Sequence, residues 1–134
     1  MNEILDLVQQ TLDSTLSASQ IHSHWGRRGD DKGDEYIIYS WESDIPEVSA
    51  DGTIYYRTAE ISLQYYVKYV KARTYAGRLN TANNMDMILK AMRSAGFGCT
   101  GGWSEIGDVD DIGFSTFRAV FEIAHIVEDD NGES

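Results

Sequence analysis

The feature that most constrains the fold is a long alternation of apolar and polar residues at 53–71. Apolar residues from Ala59 to Val67 occupy every second position, and polar residues such as Glu60 and Gln64 lie between them. Successive side chains of a strand point to opposite faces, so the pattern predicts a β-strand with one buried and one solvated face. Such strands are typical of antiparallel sheets, because parallel sheets are usually buried on both faces.

Three further segments predict strands. Residues 36–42 (YIIYSWE) are rich in β-branched and aromatic side chains, and residues 115–126 repeat the alternation. Residues 97–105 (FGCTGGWSE) predict a short strand at the edge of the sheet.

Two segments between these elements predict irregular structure. Residues 17–35 are polar and interrupted by glycines, which predicts a loop. Residues 43–53 contain the only proline, Pro46, and an Asp-Gly turn signal. We therefore expect a long, mobile connection between two strands there.

Two segments, 2–16 and 74–95, predict amphipathic helices, because their apolar residues recur at spacings of three and four. Asn2 is a candidate cap for the first helix. Gly96 follows the second where a glycine commonly ends a helix.

These elements predict an α+β fold in the order α-β-β-α-β-β. We expect an antiparallel or mixed sheet of about four strands with two helices packed on one face. The 134 residues suit a single domain spanning 1–134, in which 128–134 (EDDNGES) predict a flexible acidic tail.

The formal net charge of −11 argues against binding nucleic acid through its phosphates, because such binding depends on Lys and Arg. The chain has one cysteine, Cys99, which favours a reducing compartment. It carries no apolar run long enough to cross a membrane, and its start lacks the pattern of a signal peptide. We therefore expect synthesis and action in the cytoplasm.

Residues that could catalyse a reaction or bind a metal are few, and their spacing in the sequence is not that of a catalytic or metal site. His22 and His24 have an i,i+2 spacing without a third ligand, which is a weak metal signal. Nothing in the sequence brings Cys99 next to His125, as a nucleophile and its base would require. The acidic runs do not meet the calcium-loop pattern. We expect no enzyme, catalytic residue, metal or cofactor.

A basic cluster, formed by Lys68, Lys71, Arg73 and Arg78, is the one concentration of positive charge in this acidic chain. It either offsets acids of its own domain or pairs with an acidic surface on another copy. Tyrosines and tryptophans exceed what one sheet face can bury, which favours contact with a partner.

The order and content of several segments resemble a known family. These are the helix ILDLVQQTL, the strand RTAEISLQYYVKY, the helix NTANNMDMILKAM ending at AGFG, and the acidic turn and strand DVDDIGFSTFRAVFEIAHIV. Together they cover nearly the whole chain. They resemble the tail completion proteins of long-tailed phages, also called tail terminators or tail-to-head joining proteins.

The resemblance implies a small structural α+β protein of the virion with no catalytic residues. Such proteins form a ring, typically of six copies, on the head-proximal end of the tail tube. They stop tube growth and join the tail to the head connector, after assembly in the host cytoplasm. DNA passes through the joint without specific binding, and an acidic lumen would repel its phosphates.

Two sets of residues carry these expectations. Contacts between copies or with the tube are expected at Ile45, Val48, Tyr55, Tyr56, Lys68, Lys71, Arg73 and Arg78. An acidic lining of the lumen is expected at Asp30, Asp31, Asp34, Glu35, Asp108, Asp110 and Asp111. The alternatives are an adaptor or regulatory domain that binds one cellular protein through its open sheet, and a small enzyme using His22 or Cys99.

Overall fold

Long strands dominate the computed structural model, which describes residues 2–19, 21–26, 33–48, 54–106 and 113–126. Within these residues the chain forms three helices and six strands. In chain order they are α1 (Asn2–Leu16), β1 (His22–Trp25), β2 (Glu35–Val48), β3 (Ile54–Lys68), α2 (Tyr69–Ala72), α3 (Tyr75–Ser94), β4 (Gly98–Cys99), β5 (Ser104–Glu105) and β6 (Phe114–Ile126). The α+β prediction is confirmed, and the predicted layout of four strands and two helices is wrong in its counts and order.

The alternating strand β3 lies at the centre of the sheet, whose order is β1-β2-β3-β6-β4, with β5 also paired to β6. β2 and β6 run antiparallel to β3, whereas β1 runs parallel to β2, so the sheet is mixed. The central residue Leu63 lies opposite Tyr39 of β2 and Ala119 of β6.

One face of the sheet carries the main core. The alternating residues of β3 from Ala59 to Val67 are all buried there, as the sequence predicts. All three helices contribute to the same cluster, through residues that include Leu12 of α1, Ala72 of α2 and Ile88 of α3. The prediction that helices cover a single face is consistent with this shared core.

The opposite face is polar in its middle and aromatic at one end. Ser40 and Ser62 are joined by a 2.9 Å hydrogen bond between their hydroxyls. At one end of the face Tyr36 stacks on Tyr66, with ring centroids 4.8 Å apart, and Phe114 packs edge-on against Tyr36. This second cluster is absent from the sequence prediction, which expected apolar packing on one face only.

Three local predictions need correction. The predicted loop 17–35 contains β1, and β2 continues through Pro46 to Val48, so most of the predicted linker 43–53 is strand. Pairing with the long β3 extends β2, and Pro46 is tolerated because β1 pairs with β2 only as far as Tyr39 in the described residues. The strand predicted at 53–71 ends at Lys68, and the single turn of α2 begins at Tyr69.

The predicted short strand at 97–105 is present as two separate pairs of residues, β4 and β5. The helix predicted at 74–95 is confirmed as α3, and Gly96 has a φ of 106° immediately after its C-cap. Residues 49–53, the acidic turn at 107–112 and the predicted tail at 128–134 lie outside the described residues.

Candidate functional site

The four basic residues predicted from the sequence lie together where β3 passes through α2 into α3. We call this group, Lys68, Lys71, Arg73 and Arg78, the basic end. Its backbone is held tightly, because the Thr74 hydroxyl caps α3 by accepting from the Gly77 N–H at 2.9 Å. A Cβ added to Gly77 would lie only 1.8 Å from the Lys71 carbonyl oxygen.

The two lysines of the basic end pair with acids of their own chain. Lys68 lies 3.7 Å from the Asp34 carboxylate, and Lys71 forms an ion pair with Glu35. Arg78 donates to the Arg73 carbonyl at 3.1 Å, and both arginine side chains are exposed. The lysines therefore offset acids of their own domain, and the two arginine side chains also lie on the surface.

Glu35 is the residue whose surroundings differ most from expectation. It was predicted in an exposed acidic loop, but it begins β2 and is 8% exposed. Its carboxylate accepts from the Tyr65 hydroxyl and from the Lys71 ammonium, and Asn84 donates to the Tyr65 oxygen at 3.0 Å. The prediction of Glu35 as part of an exposed acidic lining is therefore wrong.

This buried network joins two strands and two helices, because it contains one residue each from β2, β3, α2 and α3. Burial, reinforced by the hydrogen bond to Glu35, raises the pKa of the Tyr65 hydroxyl far above its ordinary value. The sequence carried one signal for the network. Tyr65 lies on the apolar face of β3, and a buried tyrosine hydroxyl needs a polar partner.

A cleft of about 410 Å³ lies beside the basic end, between α3 and the start of β6. Ala72, Met85 and Phe117 supply its apolar lining. Arg73 and Arg78 also line it, together with the carboxylate side chain of Glu105. The sequence analysis did not predict this cleft.

The other predicted contact residues lie at the far end of the sheet. We call this end the arm: residues 42–48 of β2, 54–60 of β3 and 122–126 of β6. Ile45 is 47% exposed on the arm, and Val48, Tyr55 and Tyr56 belong to its strands.

The edges of the arm are open in the described part of the chain. β1 pairs with β2 no further than Tyr39, and β4 pairs with β6 no further along the arm than Glu122. Unpaired strand edges are templates for pairing with another chain. Asp44 and Arg57 form an ion pair at 3.0 Å between β2 and β3 of the arm.

Besides Glu35, the described residues include one further member of the predicted acidic lining, Asp34. Asp34 is exposed and lies near Lys68. Asp30, Asp31, Asp108, Asp110 and Asp111 lie outside the described residues.

The residues considered for chemistry do not converge. His22 and His24 lie on β1 with ring centroids 6.5 Å apart, and no group of three potential metal ligands occurs among the residues described. Cys99 on β4 is half-buried and lies opposite Phe121 of β6. Phe121 and His125 are four residues apart on β6, which corresponds to ~13 Å along the strand, so Cys99 and His125 are not neighbours.

The chain matches no protein-family model and no curated protein sequence at a significant level. Within the described residues, no helix has the length and apolar character needed to cross a membrane.

Proposed function

We propose that this chain is a structural virion protein that assembles as a ring on the head-proximal end of a phage tail tube and joins the tail to the head. Its partners are further copies of itself, the tail tube protein and the head connector. It acts at the head–tail interface of the virion, after assembly in the host cytoplasm. The proposal rests on the resemblance of the sequence segments to tail completion proteins and on the surfaces described above.

The observation that carries the proposal is the separation of two unlike surfaces at opposite ends of one long sheet. Among the residues described, the arm has strand edges without a pairing strand and the exposed Ile45, and the basic end has Arg73 and Arg78 on its surface. Two different patches on one chain suit a head-to-tail contact between copies. Such contacts close into rings when the rotation between neighbours is a simple fraction of a turn.

The acid content of the chain supports the passage of DNA through such a ring. Asp34 and the acids at 30–31 and 108–111 would contribute negative charge to a lining. Phosphates are repelled by such a surface and gain no strong contact with it. A DNA duplex would therefore move through the joint without being held.

The test uses phage in which the gene is replaced by variants. Arg73→Glu combined with Arg78→Glu reverses the charge of the two arginines of the basic end and leaves Glu35, Tyr65, Lys71 and Asn84 unchanged. Arg93→Glu is the matched control, because Arg93 is an exposed arginine near the other end of α3. We expect the double variant to give overgrown tails or tails without heads in electron micrographs, and the control to give normal virions. Normal virions from the double variant would contradict the proposal.

A second candidate is an adaptor that binds one cellular protein through its sheet. The polar middle of the second face, with Ser40, Ser62 and the Arg118–Glu42 ion pair, favours this alternative because it offers a hydrogen-bonding surface. Light scattering on the purified protein separates the two functions. The fraction of chains assembled into rings rises with protein concentration, whereas an adaptor forms a one-to-one complex with its partner.

A further inference from the structure

We infer that the exposed side of the first turns of α3 in one copy of this chain packs on the polar face of the sheet, over Glu60 and Glu122, in a second copy. This contact rests on the proposed function and deepens it, because it names two surfaces that meet between neighbouring copies.

Glu60 and Glu122 form a pair of like charges on the polar face. They lie directly opposite each other on β3 and β6, and Glu60 alternates with the core residues Ala59 and Ile61 of the other face. Residues opposite each other on antiparallel strands have Cβ atoms ~4.5–5.5 Å apart, and like charges in this arrangement are destabilising.

The charge of this pair is not neutralised within the described part of the chain. Both side chains are half-buried, and none of the ion pairs there includes either of them. The Ser43 hydroxyl donates a hydrogen bond to Glu60, but it carries no charge. A cation supplied by a partner would therefore relieve the repulsion between the two carboxylates.

Apolar side chains border the carboxylate pair. Ile45 and Ala124 share its face, because both are aligned with Thr58, which lies two residues from Glu60 on β3. Ile45 is 47% exposed, and Ala124 is also exposed. This part of the polar face therefore suits a partner that is basic and partly apolar.

The start of α3 has the matching chemistry. Tyr75, Arg78, Leu79 and Ala82 are all exposed and recur at spacings of three and four, so they lie on one side of the helix. Tyr75 is 75% exposed and Leu79 is 51% exposed, although both are large apolar residues. This side of α3 is therefore an exposed apolar stripe with an arginine in it.

The charge of Arg78 is available to a partner. Its guanidinium donates to the backbone carbonyl of Arg73 at 3.1 Å, and it takes part in no ion pair among the residues that the structure describes. An arginine has five N–H donors in a planar fork, so one guanidinium can bond both Glu60 and Glu122.

Charge complementarity selects the unlike surface of a second copy as the occupant. The segment 69–94 carries five Lys and Arg residues against the single acid Asp86, in a chain of net charge −11. Two polar faces packed together would bring four carboxylates together, and two α3 surfaces would oppose Arg78 to Arg78. The contact of α3 with the polar face instead joins opposite charges and covers apolar side chains of both copies.

One chain cannot make this contact with itself. α3 packs on the core face of the sheet through Ile88 and Met92, whereas Glu60 and Glu122 lie on the other face. Each copy therefore offers its α3 surface to one neighbour and its polar face to another, which is the head-to-tail arrangement that a ring needs.

The test reverses the charge of each surface and then restores the pairing. Arg78→Glu brings a third carboxylate to Glu60 and Glu122, and Glu60→Lys with Glu122→Lys brings two ammonium groups to Arg78. In sedimentation velocity at low salt, each variant alone should associate at least ~10-fold more weakly than the unaltered chain, because like charges meet at the contact. Mixed in equal amounts, the two variants should recover association, because every contact of an alternating assembly then joins opposite charges.

A neutral variant gives a second readout. Glu60→Gln with Glu122→Gln removes the repulsion between the two strands, so it should raise the melting temperature of the monomer. The same variant should weaken association, because Arg78 of the neighbour loses both carboxylates. A variant that associates like the unaltered chain would overturn the inference, even if the lysine variant fails to fold.

Two matched controls make the same changes of charge elsewhere. Arg93→Glu alters an exposed arginine near the other end of α3, and Asp6→Lys with Asp13→Lys alters two exposed acids of α1. Both should associate like the unaltered chain, and circular dichroism should show that they are folded. A mixture of folded variants that associates no better than its components, or an unaltered chain that stays monomeric at every concentration, would also overturn the inference.

The outcome is separable from that of the proposed function. If the mixture recovers association while phage carrying the Arg73/Arg78 double variant have normal tails, the contact is right and the role in tail assembly is wrong. If the mixture does not recover while those phage have overgrown tails, the role stands and this pairing of surfaces is wrong.

Discussion

Replacing Leu63 with alanine tests the core and the strand register directly. Leu63 is fully buried at the middle of the central strand β3, between Tyr39 of β2 and Ala119 of β6, which are also buried. Loss of a buried leucine side chain costs ~2–5 kcal/mol, and the cost rises when the surroundings cannot collapse into the cavity. Because Leu63 is flanked by paired strands on both sides, we expect the upper half of that range.

The assay is the free energy of unfolding in urea, together with the melting temperature. For a domain of this size, ~1 kcal/mol corresponds to roughly 3–5 °C, so Leu63→Ala should lower the melting temperature by about 10–25 °C. The control is Leu79→Ala, the same chemical change at a leucine that is 51% exposed on α3. Equal stability of the two variants would mean that Leu63 lies on the wrong face, because a shift of one residue exchanges the faces of a strand.

Three further predictions concern Gly77 in the first turn of α3, the buried network around Glu35, and the two histidines of β1. Gly77→Ala should lower the free energy of unfolding in urea by ~1–3 kcal/mol, because its Cβ would clash with the Lys71 carbonyl oxygen. Gly98→Ala is the control and should be tolerated in the same assay, because its Cβ would lie 3.8 Å from the nearest neighbouring atom. Because the pKa of Tyr65 is raised in the folded chain, the stability that its neutral hydroxyl contributes is fully present below the ordinary pKa of 10.0 and is lost as the pH rises above it. The urea midpoint of unfolding, measured up to about pH 11, should therefore fall less steeply with pH in Tyr65→Phe than in the unaltered chain. Equal slopes would contradict this prediction. Combined His22→Ala and His24→Ala should change stability by no more than ~0.5 kcal/mol, and a large fall in melting temperature on adding a chelator to the unaltered chain would show that these residues hold a metal.

The sequence determined those helices and strands in which the spacing of apolar residues shows which side is buried. Alternation predicted β3 and β6, and spacings of three and four predicted α1 and α3, with bounds close to those observed. These patterns are readable because each residue's polarity reports which side of its own element faces the core. The basic end was found for a similar reason, since its four residues lie within eleven positions of the chain.

Only the tertiary structure decided the features that depend on distant partners. β1 has four residues without alternation and exists because β2 lies beside it, and β2 passes Pro46 because β3 continues to pair with it. Edge and extension strands of this kind are stabilised by hydrogen bonds to a neighbour, which leave no local pattern.

The buried network and the cleft show the same limit at the level of side chains. Glu35 and Asn84 are separated by almost fifty positions, yet both bond the Tyr65 hydroxyl, and the cleft joins α2 and α3 to β5 and β6. The sequence therefore supplied the charge and the apolar residues of the candidate surfaces. Their positions at opposite ends of one sheet follow from strand register, which is a property of the folded chain and of no single segment.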